Sequence, residues 1–298
     1  MFYKFYKKTL GDRIFDFVVY FLIIASICVT LYPLIYVVSM SISDPIAATR
    51  GEVWFLPVGF DLTAMKEVLK DPNILTYYGN TLWYTAVGTI CTIFVTALMA
   101  YPLSRKDFQF RGFFDRFVMI TMFFNGGIIP TYLVVARNLH LLNNRWVIVI
   151  CSLTSAWNIM IAKNYFSSLP EELIESAQLD GASTFRTFLQ IVMPLSKPIL
   201  AVIALYSAVA HWNSYFNHML YLSKPELQPL SLYVRKVVMQ NDLASVMGSD
   251  TVLTAAEIMA TTQIKYAVIV VSVLPMLVIY PFISKYLEKG LMVGATKG

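Results

Sequence analysis

Six stretches of the chain stay apolar for long enough to cross a bilayer, where a spanning helix needs about 20 predominantly apolar residues. They fall at about 15–41, 79–103, 115–136, 146–163, 198–222 and 266–285. The first is uncharged from Phe17 to Ser43 and the third from Phe117 to Ala136, while Arg145 and Lys163 bound the fourth. The pattern predicts an all-α membrane protein of six transmembrane helices, in a single domain covering 14–298. Residues 1–13 mix Phe2, Tyr3, Phe5 and Tyr6 with Lys4, Lys7 and Lys8 and are expected to anchor at the membrane interface. Two long connections, Asp44–Tyr78 and Lys224–Lys265, are expected to carry helices of their own, one through Met65, Val68 and Leu69 and one starting within Ala255–Thr262. Pro33, Pro275 and Pro281 are expected to kink the first and last spans.

An even number of spans puts both termini on one side. Taking that side as the cytoplasm places 14 of the 23 Lys and Arg inside and 9 outside, most of the outer ones in the two long connections, which count for little. Both termini are therefore expected to be cytoplasmic. Composition agrees: 57% of residues are hydrophobic and 14% charged, against about 45–50% and about 25% in a soluble domain. The net charge of +5 is spread over helix ends, so membrane lipid is an expected partner and nucleic acid is not. Cys28, Cys91 and Cys151 each lie in an apolar segment without disulfide or metal spacing and read as small buried hydrophobes. The first apolar run is too long for a signal-peptide core and no small-x-small site follows it, so no cleavable leader is expected.

One polar stretch, 168–198, separates the fourth and fifth apolar runs and concentrates Glu171, Glu172, Glu175 and Asp180. Its spacing predicts a helix-turn-helix. Ser168 and Glu171 fit a capping box, with Pro170 in the first turn and Leu173, Ile174 and Ala177 on one face. Asp180-Gly181 breaks that helix, since glycine accepts a left-handed backbone. Ser183 or Thr184 can cap a second helix bearing Phe185, Phe188, Leu189 and Val192, which Pro194 and Pro198 are expected to end. A paired helix with apolar residues on one side suits a groove on another protein.

Glu175-Ser176-Ala177, Asp180-Gly181-Ala182, Ile191 and Pro194 together resemble the EAA loop of bacterial ABC importer permeases. Ser176 stands where the family has its middle Ala, and Met193 where it has Leu before Pro194. The tail, 286–298, and the local sequences Asn80-Thr81-Leu82, Gly126-Gly127-Ile128-Ile129-Pro130-Thr131-Tyr132 and His211-Trp212-Asn213 resemble the MalG-like branch of the maltose-system type, nearest to the subgroup for complex oligosaccharides. The resemblance implies a cytoplasmic coupling helix, with Glu172, Glu175, Ala177, Asp180, Gly181 and Ala182 at the junction with an ATPase dimer. It also implies a second homologous permease subunit, an extracellular or periplasmic solute-binding protein, an oligosaccharide substrate and a home in the bacterial cell membrane.

Polar side chains at membrane depth usually face a protein interior or a wet cavity. Asn125, Trp157, Asn158, His211, Trp212, Asn213, Tyr215 and Asn217 fall at similar depth. Amides hydrogen-bond hydroxyls and an aromatic face covers a pyranose ring, so one reading lines a substrate path with them; interhelical hydrogen bonding is the other. Gly126-Gly127 and Pro130 are expected to interrupt the third span. His211 and His218 lie seven apart, on one face of a continuous helix, but no third ligand accompanies them and no metal is expected.

The chain has no G-x-x-x-x-G-K-[ST] phosphate loop, so it is expected to carry no cofactor, with ATP and Mg on the partner ATPase. A secondary transporter calls for a mid-membrane carboxylate, and the uncharged cores have none. A membrane enzyme calls for a cluster such as H-E-x-x-H or G-x-S-x-G, and neither occurs. A permease for a non-sugar solute, a secondary transporter, and a receptor or scaffold stay open as alternatives.

Overall fold

The computed structural model describes residues 9–124, 126–246 and 262–277. These residues are almost entirely helical and fall into two compact units: 9–71 with 237–246 and 262–273, and 72–124, 126–236 and 274–277.

In the first unit α1, Leu10–Ser41, is long, apolar and solvent-facing over most of its length. A helix apolar all round needs either a protein core or lipid around it. Thr9 starts it with a reciprocal cap: Asp12 N donates to Thr9 Oγ1 at 3.3 Å and Thr9 N donates to Asp12 Oδ2 at 2.8 Å. Pro33 lies within the helix without ending it. After it come α2, Pro45–Thr49, opened by the Asp44 carboxylate, and α3, Thr63–Lys70, the helix expected through Met65 and Val68. Gln263 Nε2 donates to Ser43 O at 2.6 Å, tying this segment to α15, Thr262–Leu277.

In the second unit α4, Pro72–Ser104, is the central post. The third apolar run divides into α5, Arg111–Phe123, and α6, Ile128–Leu133, which continues as a π-helical turn over Val134–Asn138. Gly127, at φ +86°, marks the expected break. The fourth run is also divided, against expectation: α7, Trp146–Cys151, and α8, Ala156–Ser167, are separated by 152–155. Ser155 starts α8 by accepting from Asn158 N at 3.1 Å. The connection 168–171 leads to α9, Glu172–Leu179, and then α10, Thr184–Thr187, a π-helical turn Phe188–Val192 and α11, Met193–Leu195. An 80° bend leads to α12, Lys197–Asn213. The fifth run breaks once more at 214–215 before α13, Phe216–Tyr221. Then α14, Leu230–Val246, lies in the last long connection, ahead of the place where a helix is expected; Ala255 and its neighbours to 261, Pro281 and residues 1–8 lie outside the described residues. By length and composition α1 and α4 can each cross a membrane, and there are up to four spans among the described residues if Arg111–Phe123 with Ile128–Asn138, and Thr184–Leu195 with Lys197–Asn213, each count as one bent span.

Two buried clusters hold the second unit. One joins Ala97, Ala100 and Leu103 of α4 to Ile159, Ala162 and Phe166 of α8, Ile174 of α9, and Phe188, Val192 and Ile203 beyond it. The other packs Tyr84 against Val147, Ile148, Tyr221 and Leu222. A polar clamp secures the second cluster. The buried Asn80 donates from Nδ2 to Glu226 O at 2.8 Å and Gln228 O at 2.9 Å, and accepts from Arg145 Nη2 at 2.8 Å. Thr81 Oγ1 accepts from Leu230 N at 2.8 Å, and Tyr84 OH donates to Leu227 O at 2.9 Å. Asn80→Ala leaves two carbonyls and a guanidinium arm without their partner, and a buried group so stranded costs about 1–3 kcal/mol. The expected result is a thermal unfolding midpoint lowered by several degrees in detergent, with faster protease cutting at 222–229.

Cys28 and Cys151 are exposed on the chain and Cys91 is half-buried, not the three buried hydrophobes expected, because surface that lipid or a partner covers counts here as outside.

Candidate functional site

The second unit carries two polar features, a cavity and the segment 168–198. The cavity, of about 410 Å³, is lined by Thr92 of α4, Ser152, Thr154 and Ser155 from the break before α8, Asn158 of α8, Tyr206, Ser207, Ala210 and His211 of α12, Ser214 at the break after it and Asn217 of α13. Three of the expected path residues meet here: Asn158, His211 and Asn217. The other described ones do not line it. Trp157 is 59% exposed and Trp212 is buried, both outside the lining. Asn213 donates from Nδ2 to Val209 O at 3.0 Å on its own helix, and Tyr215 lies beneath the Arg235 guanidinium at 4.4 Å. Asn125 lies outside the described residues.

The hydroxyls were missed because Ser and Thr in apolar helices so often bond their own backbone. Here the helix breaks at 152–155 and 214–215 bring backbone to the cavity, and Thr92 Oγ1 donates across to Ser152 O at 3.2 Å. Broken helix at this depth is tolerated beside protein or water. The same break at 214–215 takes His211 and His218 off a common helix face. The His218 ring instead packs edge-on against Tyr84, 4.7 Å between centroids.

His211 holds its place because Gly88 faces it. A Cβ added at Gly88 would lie 2.5 Å from His211 Cε1 and Nε2. Gly88→Ala must therefore drive the ring off its site, and overpacking of this kind costs about 1–3 kcal/mol. A lowered midpoint is expected, and His211→Ala in the same chain should recover most of it. A double-mutant cycle on the purified protein measures that coupling.

The segment 168–198 is fastened at its root to the turn between α4 and α5. Lys106 Nζ lies 2.8 Å from Glu171 Oε2, Arg105 Nη2 donates to Phe166 O at 3.0 Å, and Ser167 Oγ donates to Ser104 O at 3.4 Å. This is why the expected capping box is not formed: Glu171 turns to Lys106, and Ser168 ends α8, donating to Tyr165 O. The hydrogen bond from Lys106 and then its charge hold the Glu171 carboxyl below its usual range. A lowered pKa means that this contact is complete above the ordinary carboxylate value and is lost as pH falls through the lowered one. Below it, Lys163 Nζ lies 2.6 Å from Asp115 Oδ2 with both side chains mostly buried, and Arg111 Nε stands 3.9 Å from the same oxygen. Lys163 is thus inside α8 and paired, not a boundary.

Gly181, at φ +77°, makes the turn after α9, and Arg186 N donates to Ser183 Oγ to start α10 as expected. Pro194 does not end the second helix, which runs through to Leu195, and Pro198 sits in the first turn of α12, where its missing N–H costs nothing. Ile174 and Ala177 do not face outward. Both are buried, Ile174 in the core with Tyr101 and Phe188. The free edge of α9 instead carries Glu172, Leu173, Glu175 and Leu179, the last 88% exposed, followed by Asp180, Gly181 and the exposed Phe185, with Ala182 half-buried.

Long apolar helices around a polar cavity, joined to an amphipathic segment with an unpartnered edge, are the build of a membrane transport subunit. The chain belongs to the family of binding-protein-dependent transport system inner membrane components, whose model matches residues 92–293. It is 37% identical to Protein LplC of Bacillus subtilis (strain 168) over 292 residues, 98% of this chain and 97% of that one. It is 36% identical to the polygalacturonan/rhamnogalacturonan transport system permease protein YtcP of the same organism, over 96% of this chain and 99% of that one. A solved structure of a bacterial ABC transporter involved in the import of the acidic polysaccharide alginate matches with a TM-score of 0.83 and 35% identity, covering 95% of this chain and 99% of the other. The chain is accordingly a permease subunit of an ABC importer and not itself an enzyme.

Proposed function

We propose that this chain is one of two homologous permease subunits of an ATP-driven importer that moves oligosaccharides across the bacterial cell membrane. In this reading it spans the membrane six times with both termini in the cytoplasm. ATP and Mg sit on a separate ATPase dimer, which grips the free edge of α9 and the α10–α11 helix. A solute-binding protein delivers the sugar from outside. The observation that carries the oligosaccharide reading is the cavity. Its lining is hydroxyl, amide and imidazole without a full charge, which suits a ligand made of hydroxyls, and similarity to permeases named for polysaccharide import supports it.

The mechanism follows from the fastening. Closure of the ATPase dimer displaces α9. Because Lys106 pairs with Glu171 at the α9 root and Lys163 of α8 pairs with Asp115 of α5, the displacement reaches the α4–α5 turn and α4, which packs on α12 through Gly88 and His211. Glu175 and Asp180 meet donors at the groove edge, Gly181 permits the turn, and the cavity opens alternately to the two sides. The test is to purify the chain from its host, identify the proteins that accompany it, and measure ATP hydrolysis of the reconstituted complex against a panel of oligosaccharides. A co-purifying ATPase stimulated by one sugar class is expected; a stable chain without an ATPase refutes the reading.

A further inference from the structure

We infer that Tyr206 is the platform on which a pyranose ring of the cargo stacks, and that Ala210 keeps the face of that platform clear. This rests on the oligosaccharide reading above and assigns the residue that recognises the body of the sugar ring.

A sugar ring has two kinds of surface. Its hydroxyls need hydrogen-bond partners. Its C–H face is apolar and suits the electron-rich face of an aromatic ring. Polar groups alone would serve water equally well, whereas ligand sites set a few polar groups among apolar and aromatic walls. Of the aromatic residues expected in the path, Trp157, Trp212 and Tyr215 lie outside the cavity lining. The lining supplies its own ring instead, Tyr206 of α12.

That ring is uncommitted. Other tyrosines of this unit are taken up: Tyr77 stacks on Tyr233, Tyr132 stacks on Tyr221, and Tyr165 OH donates to Leu195 O. Among the described residues no hydrogen bond, ring contact or cation engages Tyr206, which is 52% exposed. It stands about 13 Å along α12 from Lys197. At such depth a phenol turned to lipid would leave its hydroxyl without a partner, so the polar cavity is the favoured side. Ala210 lies one turn further on, on the same helix face, and also lines the cavity. Helical side chains lean back toward the N-terminus, so the side chain at 210 is the one that reaches over 206. A methyl there leaves the ring face open. Ala210 is itself exposed, so a longer side chain would enter the cavity and not the core.

The experiment uses the whole importer with its binding protein in proteoliposomes. The probes are two pyranose trimers, galactotriose and trigalacturonate, and a furanose trimer, arabinotriose. Tyr206→Leu, which keeps an apolar side chain and loses the ring, is expected to lower uptake of the pyranose trimer that the wild type moves at least tenfold. The partner permease and the ATPase should still co-purify with that variant. Tyr206→Phe and Tyr206→Trp keep a ring and should stay within about threefold of wild type. Ala210→Leu, which covers the ring without removing it, should reproduce the loss, and Ala210→Ser should not. Undiminished uptake by Tyr206→Leu overturns the inference, and so does an equal loss in Tyr206→Phe, which would make the hydroxyl the working group. Loss of the partner permease from the Tyr206→Leu complex also overturns it, since the ring would then be a subunit contact. Wild-type uptake of arabinotriose alone overturns this inference and leaves the oligosaccharide reading standing. Wild-type failure to move any of the three removes both.

Discussion

Replacing Lys163 with Met is expected to give the largest loss of stability of any single change on the coupling side. Lys163 Nζ lies 2.6 Å from Asp115 Oδ2, with the side chains 11% and 16% exposed. Asp115 Oδ1 has no hydrogen-bond partner at all. Without Lys163 the carboxylate keeps only Arg111, at 3.9 Å. Breaking a buried pair from one side costs about 3–5 kcal/mol, because the remaining charge is desolvated and unpaired. The lower end applies here, since Arg111 remains and the pair is not fully closed off. The double change Asp115→Leu with Lys163→Met removes both charges and is expected to recover most of the loss. The midpoint of thermal unfolding in detergent checks both. If the single and double variants fall equally, the pair is not what holds α5 to α8.

Gly181→Val is expected to have the largest effect on transport. Gly181 sits at φ +77° with no atom within 4 Å of where a Cβ would stand, so the penalty is backbone strain and not collision. A left-handed residue costs an ordinary side chain roughly 1–2 kcal/mol, and a β-branched one more. The turn is exposed and does not belong to the core, so the chain should still fold and assemble. The strain is relieved by reopening the angle between α9 and α10, which alters the surface offered to the ATPase. Uptake is expected to fall at least tenfold while ATP hydrolysis continues. Gly181→Asn should lie near wild type, since Asn accepts this conformation far better than Val. Paired measurements of uptake and hydrolysis in proteoliposomes decide it. Normal uptake by Gly181→Val would show that the turn is not part of the lever.

The elements that announced themselves in the sequence are those whose signal is local. A run of apolar residues must be a spanning or buried helix, so α1 and α4 were legible to their C-terminal ends, while α1 starts at Leu10 and α4 at Pro72, ahead of the runs at 15 and 79. Gly126-Gly127-Pro130 named its own break, and Asp180-Gly181 named the turn. What escaped depends on residues far apart. The break at 152–155 sits in a stretch whose hydropathy is nearly continuous, and only Ser155, three residues before Asn158, hinted at a new helix start. The capping box at 168–171 failed because Lys106, 65 residues away, holds Glu171. Periodicity showed that Ile174 and Ala177 share a face, but a face does not say whether it packs on its own bundle or on a partner. The cavity lining was half legible. Amides and histidines draw attention in apolar helices and Thr92, Ser152 and Ser207 do not, and Gly88 carries no sign that a histidine ring rests on it.

The central claim is that the free edge of α9 is the seat of a separate ATPase. A photoreactive phenylalanine analogue at Leu179, the most exposed apolar side chain of that edge, tests it in intact cells. Illumination should yield a covalent adduct between this chain and a nucleotide-binding polypeptide, and the adduct should be lost when that polypeptide is deleted. Adducts with lipid alone, or reaction of position 179 with a membrane-impermeant reagent added from outside, would contradict the account.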